Sequence, residues 1–440
     1  MLQKVAVTGL NHEGEGVGRL ENGKVVFIPF ALPGEEVLCR LTTAKKNWCR
    51  GELQDILIPS PHRQNPPCPI YHHCGGCSLQ HLLYEEQLQW KREKVRESIS
   101  RLGGLQQLEV FPVLKADKVF GYRNKLTLHH ARENKKTILG FYSPGTHQLV
   151  PVENCLLAPP LLNSALKQLS QILRHIGPLG AANTPAREVV LRQSFSRQEL
   201  MFLFLSPAAD TGQLRKIVRL LTTKIPSLLS AWQQLPGKGE NPVFKSLQGQ
   251  EKLVEDLLGK EFCLGPGTFF QVNKDQAGVL YQNVLELLKP SAPLRLLVDL
   301  HCGAGFMAQL AAEMAHKVIG IDSFAPAVED ARYNAKANNI SNAVFLAGAA
   351  EKHLPRLLQK NVELPEVGLL NPPRGGCSSA LLRTIAGSSI PRLIYVSCNP
   401  ATLARDLKIL QEGGYRPGPV QPVDMFPQTH HVESIVALAK

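Results

Sequence analysis

At 440 residues the chain is too long for one typical domain, and two or three are expected. Its content of 44% hydrophobic and 20% charged residues fits a soluble globular protein. No apolar run is long enough to cross a bilayer and the first residues lack a signal-peptide pattern, so a cytoplasmic protein without membrane association is expected. The net charge of +12 bears on partners and favours a polyanion, with RNA first.

Residues 1–58 read as short strands, at 4–10, 24–30, 36–42 and 48–57. Turn segments Glu13-Gly-Glu-Gly-Val-Gly, Glu21-Asn-Gly and Leu32-Pro-Gly-Glu-Glu separate them, which suits a small OB-like β-barrel. Lys45, Lys46 and Arg50 form a basic loop at its end. A linker by composition follows, Pro59-Ser-Pro-His-Arg-Gln-Asn-Pro-Pro. Three cysteines come next, Cys68, Cys74 and Cys77, with a distant Cys155. Ten cysteines in a long chain with no export signal point to metal binding or catalysis rather than disulfides. Four thiolates suit zinc or an iron–sulfur cluster, and spacing does not separate the two.

Tyr84, Leu88, Val95, Ile99 and Leu102 recur at helical spacing, and Gly103-Gly104 supplies a stop. Residues 105–265 mix strands and helices, with a Pro/Gly-broken stretch at 236–242. From about Gly267 the pattern becomes βαβα. Apolar runs at 295–300, 317–321, 343–346, 367–370 and 392–396 alternate with helical segments, and strands at 420–425 and 432–439 close the chain. The expectation is a doubly wound, Rossmann-like parallel sheet. There is no internal repeat. The divisions expected are 1–58, a barrel; 59–265, a mixed α+β region with the four cysteines; and 266–440, a catalytic α/β domain.

Asp299-Leu-His-Cys-Gly-Ala-Gly305 follows a strand and opens a helix, where glycines let backbone amides approach a ligand. Asp322 ends the next strand, where a carboxylate reaches ribose hydroxyls. On this segment alone NAD and S-adenosylmethionine (SAM) are equally good readings. Leu370-Asn-Pro-Pro-Arg374 then favours SAM, because Asn/Asp-Pro-Pro at that place is typical of methyltransferases acting on nucleobases. Near the end, Cys398 sits where a strand breaks into a helix, and Glu433 follows thirty-five residues later. A thiolate and a carboxylate together suit making an unreactive ring carbon nucleophilic and then removing its proton.

Ser397-Cys-Asn-Pro-Ala-Thr-Leu-Ala-Arg-Asp406, Asn371-Pro-Pro-Arg374, Gly267-Thr-Phe-Phe-Gln-Val-Asn273 and His430-His-Val-Glu433 resemble the RNA uracil-5-methyltransferases over nearly the whole chain. The N-terminal strands resemble a TRAM domain. The resemblance implies Cys398 as nucleophile at uracil C6 and Glu433 as the base that takes the C5 proton. Gln271, His301, Gly303, Gly305, Asp322 and Asn371 would form the SAM site, and Arg123 and Lys125 would contact RNA. Cys68, Cys74, Cys77 and Cys155 match the ligand pattern of members with a 4Fe–4S cluster. Barrel plus cluster implies 23S rRNA as partner, with tRNA second, and nothing asks for an obligate protein partner. Two positions depart from the family: Asn371 where Asp is usual, and His301 where an aromatic residue is usual. They keep open a catalytically silent RNA-binding homologue. An NAD-linked iron–sulfur oxidoreductase is a third reading, which the Cys398 and Glu433 motifs oppose.

Overall fold

The computed structural model describes residues 2–440 apart from 134–135, 177–179, 182–183, 186–187, 207–211, 238–240, 250 and 360–363. Part of the Pro/Gly-broken stretch at 236–242 therefore lies outside the described residues.

Five strands close the N-terminal barrel in the order Leu2–Leu10, Gly16–Arg19, Val25–Ile28, Trp48–Ile58, Glu36–Ala44. Val5, Val26, Ile28, Val37 and Cys39 fill it. The strand Gly16–Arg19 is a correction, because sequence reading takes its glycines as turn punctuation. Here they admit close neighbours: a Cβ on Gly18 would stand 2.3 Å from a methyl of Val5. The compositional linker is pinned down, with the Arg63 guanidinium on the buried carboxylate of Glu35 at 2.5 Å.

The helix α1, Tyr84–Gly103, ends at Gly104 in the left-handed conformation, as the double glycine predicts. Leu102 is exposed rather than buried, since it falls in the last, outward turn. A seven-stranded sheet follows, in the order Val243–Gln248, Leu228–Leu235, Leu200–Leu205, Glu188–Gln193, Lys125–Glu133, Lys136–Tyr142, Leu149–Pro151. Helices Pro160–Ile176 and Gly212–Lys224 pack with it in one core.

The C-terminal sheet runs Ala343–Ala347, Ala315–Asp322, Leu294–Asp299, Val367–Leu370, Arg392–Ser397, Glu433–Ala439, Arg416–Val423. The first five are parallel and Glu433–Ala439 inserts antiparallel to both of its neighbours. Alternation along the strands sends Leu297, Val318, Ile394 and Val396 to one core and Leu296, Val298, Ile319 and Tyr395 to the other. Val95 and Ile99 of α1 join the second core. Bridges from Val110 to Val420 and from Leu114 to Val423 lay the segment after α1 along the last strand. The molecule is thus an α/β protein with a doubly wound C-terminal sheet, an N-terminal β-barrel and a mixed α+β region between them in the chain. Among the described residues no helix is long and apolar enough to cross a membrane.

Candidate active site

Ligands of open α/β sheets bind beyond the carboxyl ends of the strands, where the order of the sheet reverses. A cavity of about 1150 Å³ lies there. Asp299 ends the central strand and the chain then turns through Gly303 (φ 53°) and Gly305 (φ 78°) into the helix Phe306–Leu310. Both angles favour glycine. Asp322 pins this loop: one carboxylate oxygen accepts from the Gly303 amide and the other from Phe324, each at 2.9 Å. Asp299 is buried beneath it, and burial pushes its carboxyl up to about 7.

Of the residues expected to hold SAM, Gln271, His301, Gly303, Asp322 and Asn371 all line the cavity. Gly305 does not; it caps the helix, and a Cβ there would meet Gln309 and Phe345. The Nδ1 atom of His301 is buried with no hydrogen-bond partner among the described residues, and burial lowers the affinity of the ring for a proton. A neutral imidazole therefore faces the cavity.

Cys398 and Glu433 line the same cavity. Cys398 lies just past the strand Arg392–Ser397, before a helix whose N-cap is Asn399 with Pro400 in the first turn. Glu433 is the first residue of the neighbouring strand, which pairs Ser434 with Ser397. Burial pushes the Cys398 thiol up to about 11; the Glu433 carboxylate adds to this and the Arg374 guanidinium opposes it. Glu433 is buried, which raises its carboxyl to about 7 against the pull of Arg374. One of its oxygens, Oε2, has no hydrogen-bond partner among the described residues. Such a carboxyl, titrating near neutrality and unsatisfied, is equipped to exchange a proton with something in the cavity.

Arg374 and His431 also line the cavity, with Nη2 and Nε2 3.3 Å apart. Sequence reading quotes both only as parts of motifs and gives them no task. Phe269, 62% exposed on the cavity wall, is likewise unassigned; its signal is an aromatic residue beside Gln271 that no core takes up. Arg123 and Lys125 line the cavity too. Burial and the neighbouring Arg192 and Arg123 charges bring Lys125 down to about 8.

A second cavity, of about 220 Å³, is lined by Cys68, Cys74, Cys77 and Cys155, and shares Arg123 and Thr127 with the first. Burial raises the thiols of Cys74 to about 11 and of Cys77 to about 12, and each is raised further by the other cysteines. Among the described residues no three His, Cys, Asp or Glu side chains are grouped to hold one metal ion. The four cysteines line one space.

A TRAM-domain model matches residues 2–54, and a model described as tRNA (Uracil-5-)-methyltransferase matches residues 262–440. An "uncharacterized RNA methyltransferase" of Bacillus cereus is 37% identical over 445 residues, covering 99% of this chain and 96% of that protein. One from Clostridium tetani is 34% identical, covering 98% and 95%. The solved structure of Pyrococcus abyssi tRNA (uracil-54, C5)-methyltransferase, in complex with S-adenosyl-L-homocysteine, superposes with a TM-score of 0.75 at 26% identity, covering 99% of this chain and all of that one. The chain belongs to the SAM-dependent RNA (uracil-5-)-methyltransferase family.

Proposed function

We propose that this chain methylates C5 of a uridine in 23S rRNA through a covalent adduct on Cys398 that Glu433 resolves. The observation that carries the reading is that Cys398 and Glu433, on adjacent strands, line one cavity with the glycine loop and Asp322. Uracil C5 is a weak nucleophile. Addition of the Cys398 thiolate to C6 places an electron pair at C5. SAM supplies the electrophilic methyl group that this carbon takes. Glu433 Oε2 then accepts the C5 proton, and the electrons of that C–H bond expel the Cys398 thiolate from C6.

Arg374 opposes the burial penalty on the thiolate and holds His431 beside it. Gln271, His301, the 301–303 loop, Asp322 and Asn371 would hold SAM. A uracil inside a stem cannot reach Cys398, so the target base is flipped or single-stranded. Arg123 and Lys125 on the same wall would carry the adjoining phosphates.

Cys68, Cys74, Cys77 and Cys155 would hold a 4Fe–4S cluster. Their meeting on the wall of one cavity supports the reading, and a bound cluster would itself lower the raised thiols. Methyl transfer needs no redox step, so the cluster's task here is to tie Cys155 to the 68–77 loop.

A tRNA uridine is the second reading, favoured by the Pyrococcus abyssi enzyme, whose substrate is tRNA. Mass spectrometry of nucleosides from purified 23S rRNA and tRNA, with and without this protein, separates the two. Loss of 5-methyluridine from tRNA alone overturns the ribosomal assignment, and loss from neither leaves the silent homologue.

A further inference from the structure

One face of α1 buries polar residues. Tyr84, Gln87, Lys91 and Lys94 recur at intervals of three and four, forming a stripe beside the apolar one. Gln87 and Lys91 are fully buried. Most of what the stripe holds lies between residues 424 and 430. Lys91 Nζ donates to Asp424 Oδ1 at 2.6 Å and to the Phe426 carbonyl at 3.0 Å. The Tyr84 hydroxyl donates to Asp424 Oδ2 at 2.9 Å, and Lys94 Nζ donates to the His430 carbonyl at 2.7 Å.

Gln87 and Gln428 form a reciprocal pair. The Gln428 amide donates to Gln87 Oε1 at 3.1 Å, and Gln87 Nε2 donates to Gln428 Oε1 at 3.0 Å. The Gln428 carbonyl accepts from the amides of Ser78 and Leu79, each at 3.0 Å. Gln428 has φ 68°, a left-handed conformation that a non-glycine residue holds only when its surroundings insist on it. His431 lies three positions on and Glu433 five.

Apolar side chains of the same volume would pack such an interface at least as stably as a buried ion pair. What hydrogen-bonded pairs add is a single register. We infer that Gln87 and Lys91 are positioning residues for the catalytic base: the polar stripe of α1, with the amides of Ser78 and Leu79, fixes the 424–430 segment and so aims Glu433 into the cavity. The inference rests on the reading of Glu433 as the base that resolves the adduct.

The test uses the full-length protein in two variants, Gln87→Leu and the double change Lys91→Met with Asp424→Leu, which leaves no orphan charge. Glu433→Gln is the reference. SAM affinity and RNA affinity are expected to stay at wild-type values, while the thermal midpoint of Gln87→Leu falls because the buried Gln428 amide loses its acceptor. Adduct formation on 5-fluorouracil RNA is expected to keep its rate, because it needs Cys398 and not Glu433. On ordinary RNA, turnover is expected to fall about tenfold or more, with a protein–RNA adduct building up as in Glu433→Gln. If the double variant does not fold, Gln87→Leu alone decides. Wild-type turnover, or equal losses of adduct formation and resolution, overturns the inference while Glu433→Gln still accumulates adduct. If Glu433→Gln accumulates none, the base reading itself fails and takes the inference with it.

Discussion

Cys398 and Glu433 occupy opposite places one rung beyond the Ser397–Ser434 pair of adjacent antiparallel strands. Residues opposed across such a pair project to one face, so Cys398 and Glu433, the proposed nucleophile and base, share the cavity although thirty-five residues part them. The two failures they produce are expected to differ. Cys398→Ala should bind SAM and RNA and form no adduct. Glu433→Gln should add to the base and transfer the methyl group, then stall, slowing turnover by about 10²–10⁴. Denaturing electrophoresis of the protein with labelled RNA distinguishes them. Methylation by Cys398→Ala at the wild-type rate would refute the covalent route.

The pH dependence follows from the burial of Glu433, which lifts its carboxyl from 4.5 to about 7. The base form is the ionised one. Resolution of the adduct should therefore slow as pH falls through 7, while adduct formation should not follow the same curve. Stability has the opposite sense. The folded state binds the extra proton between 4.5 and 7, so stability from this group is present below 4.5 and is lost as pH rises through 7. Glu433→Gln should then be more stable than wild type at pH 8, on the order of 2–3 kcal/mol, with the gap closing toward pH 4.5. Thermal melts of both proteins across this range measure it.

Anaerobically purified protein should contain about four irons per chain. Cys155→Ser should lose iron and lower the thermal midpoint, since through the proposed cluster Cys155 would join the 68–77 loop to the segment before Pro160–Ile176. Stoichiometric zinc without iron would exclude the cluster.

The barrel cannot simply be deleted to test RNA binding. Its Gly14 lies against Leu79 and His430, so removal would disturb the catalytic loop. Surface charge is the cleaner probe. Lys45 and Lys46 are exposed between two barrel strands, whereas Arg50 is spent on Glu15. Lys45→Glu with Lys46→Glu should weaken RNA binding at low salt and reduce the slope of log K against log salt by about two. SAM affinity should not change. Unchanged RNA affinity would remove the barrel loop from the interface.

Asn371→Asp tests the departure from the family. Asn371 lines the cavity proposed to hold SAM, and a carboxylate there restores an acceptor-only group. Tighter SAM binding by calorimetry is expected. Weaker binding would show that Asn371 is matched to the neutral His301 across the cavity.

The sheet was legible because buried parallel strands read as apolar runs, and residues 295–300 to 392–396 do so plainly. The glycine loop, Asp322, Cys398 and Glu433 were legible because their chemistry restricts residue type. The strand Gly16–Arg19 was not, since glycine marks a turn and a crowded sheet alike. Arg374 and His431 carry no task legible in the sequence, because their meaning is a 3.3 Å meeting across fifty-seven residues of chain. Lys91 was the least legible. A lysine on the inward side of a helix is odd by itself, and only Asp424, far along the chain, accounts for it.

That distance sets an order of events during synthesis. Lys91 and Asp424 are 333 positions apart, and helix α1 emerges from the ribosome long before its partner does. Until then its buried lysine and glutamine must stay hydrated or be covered by something else. A chain stopped short of residue 424 would leave them bare and lack Glu433 as well. The chain thus acquires its closed interior and Glu433, the proposed base, in the same final stretch of translation, together with the strand Glu433–Ala439 that completes the sheet beside Cys398.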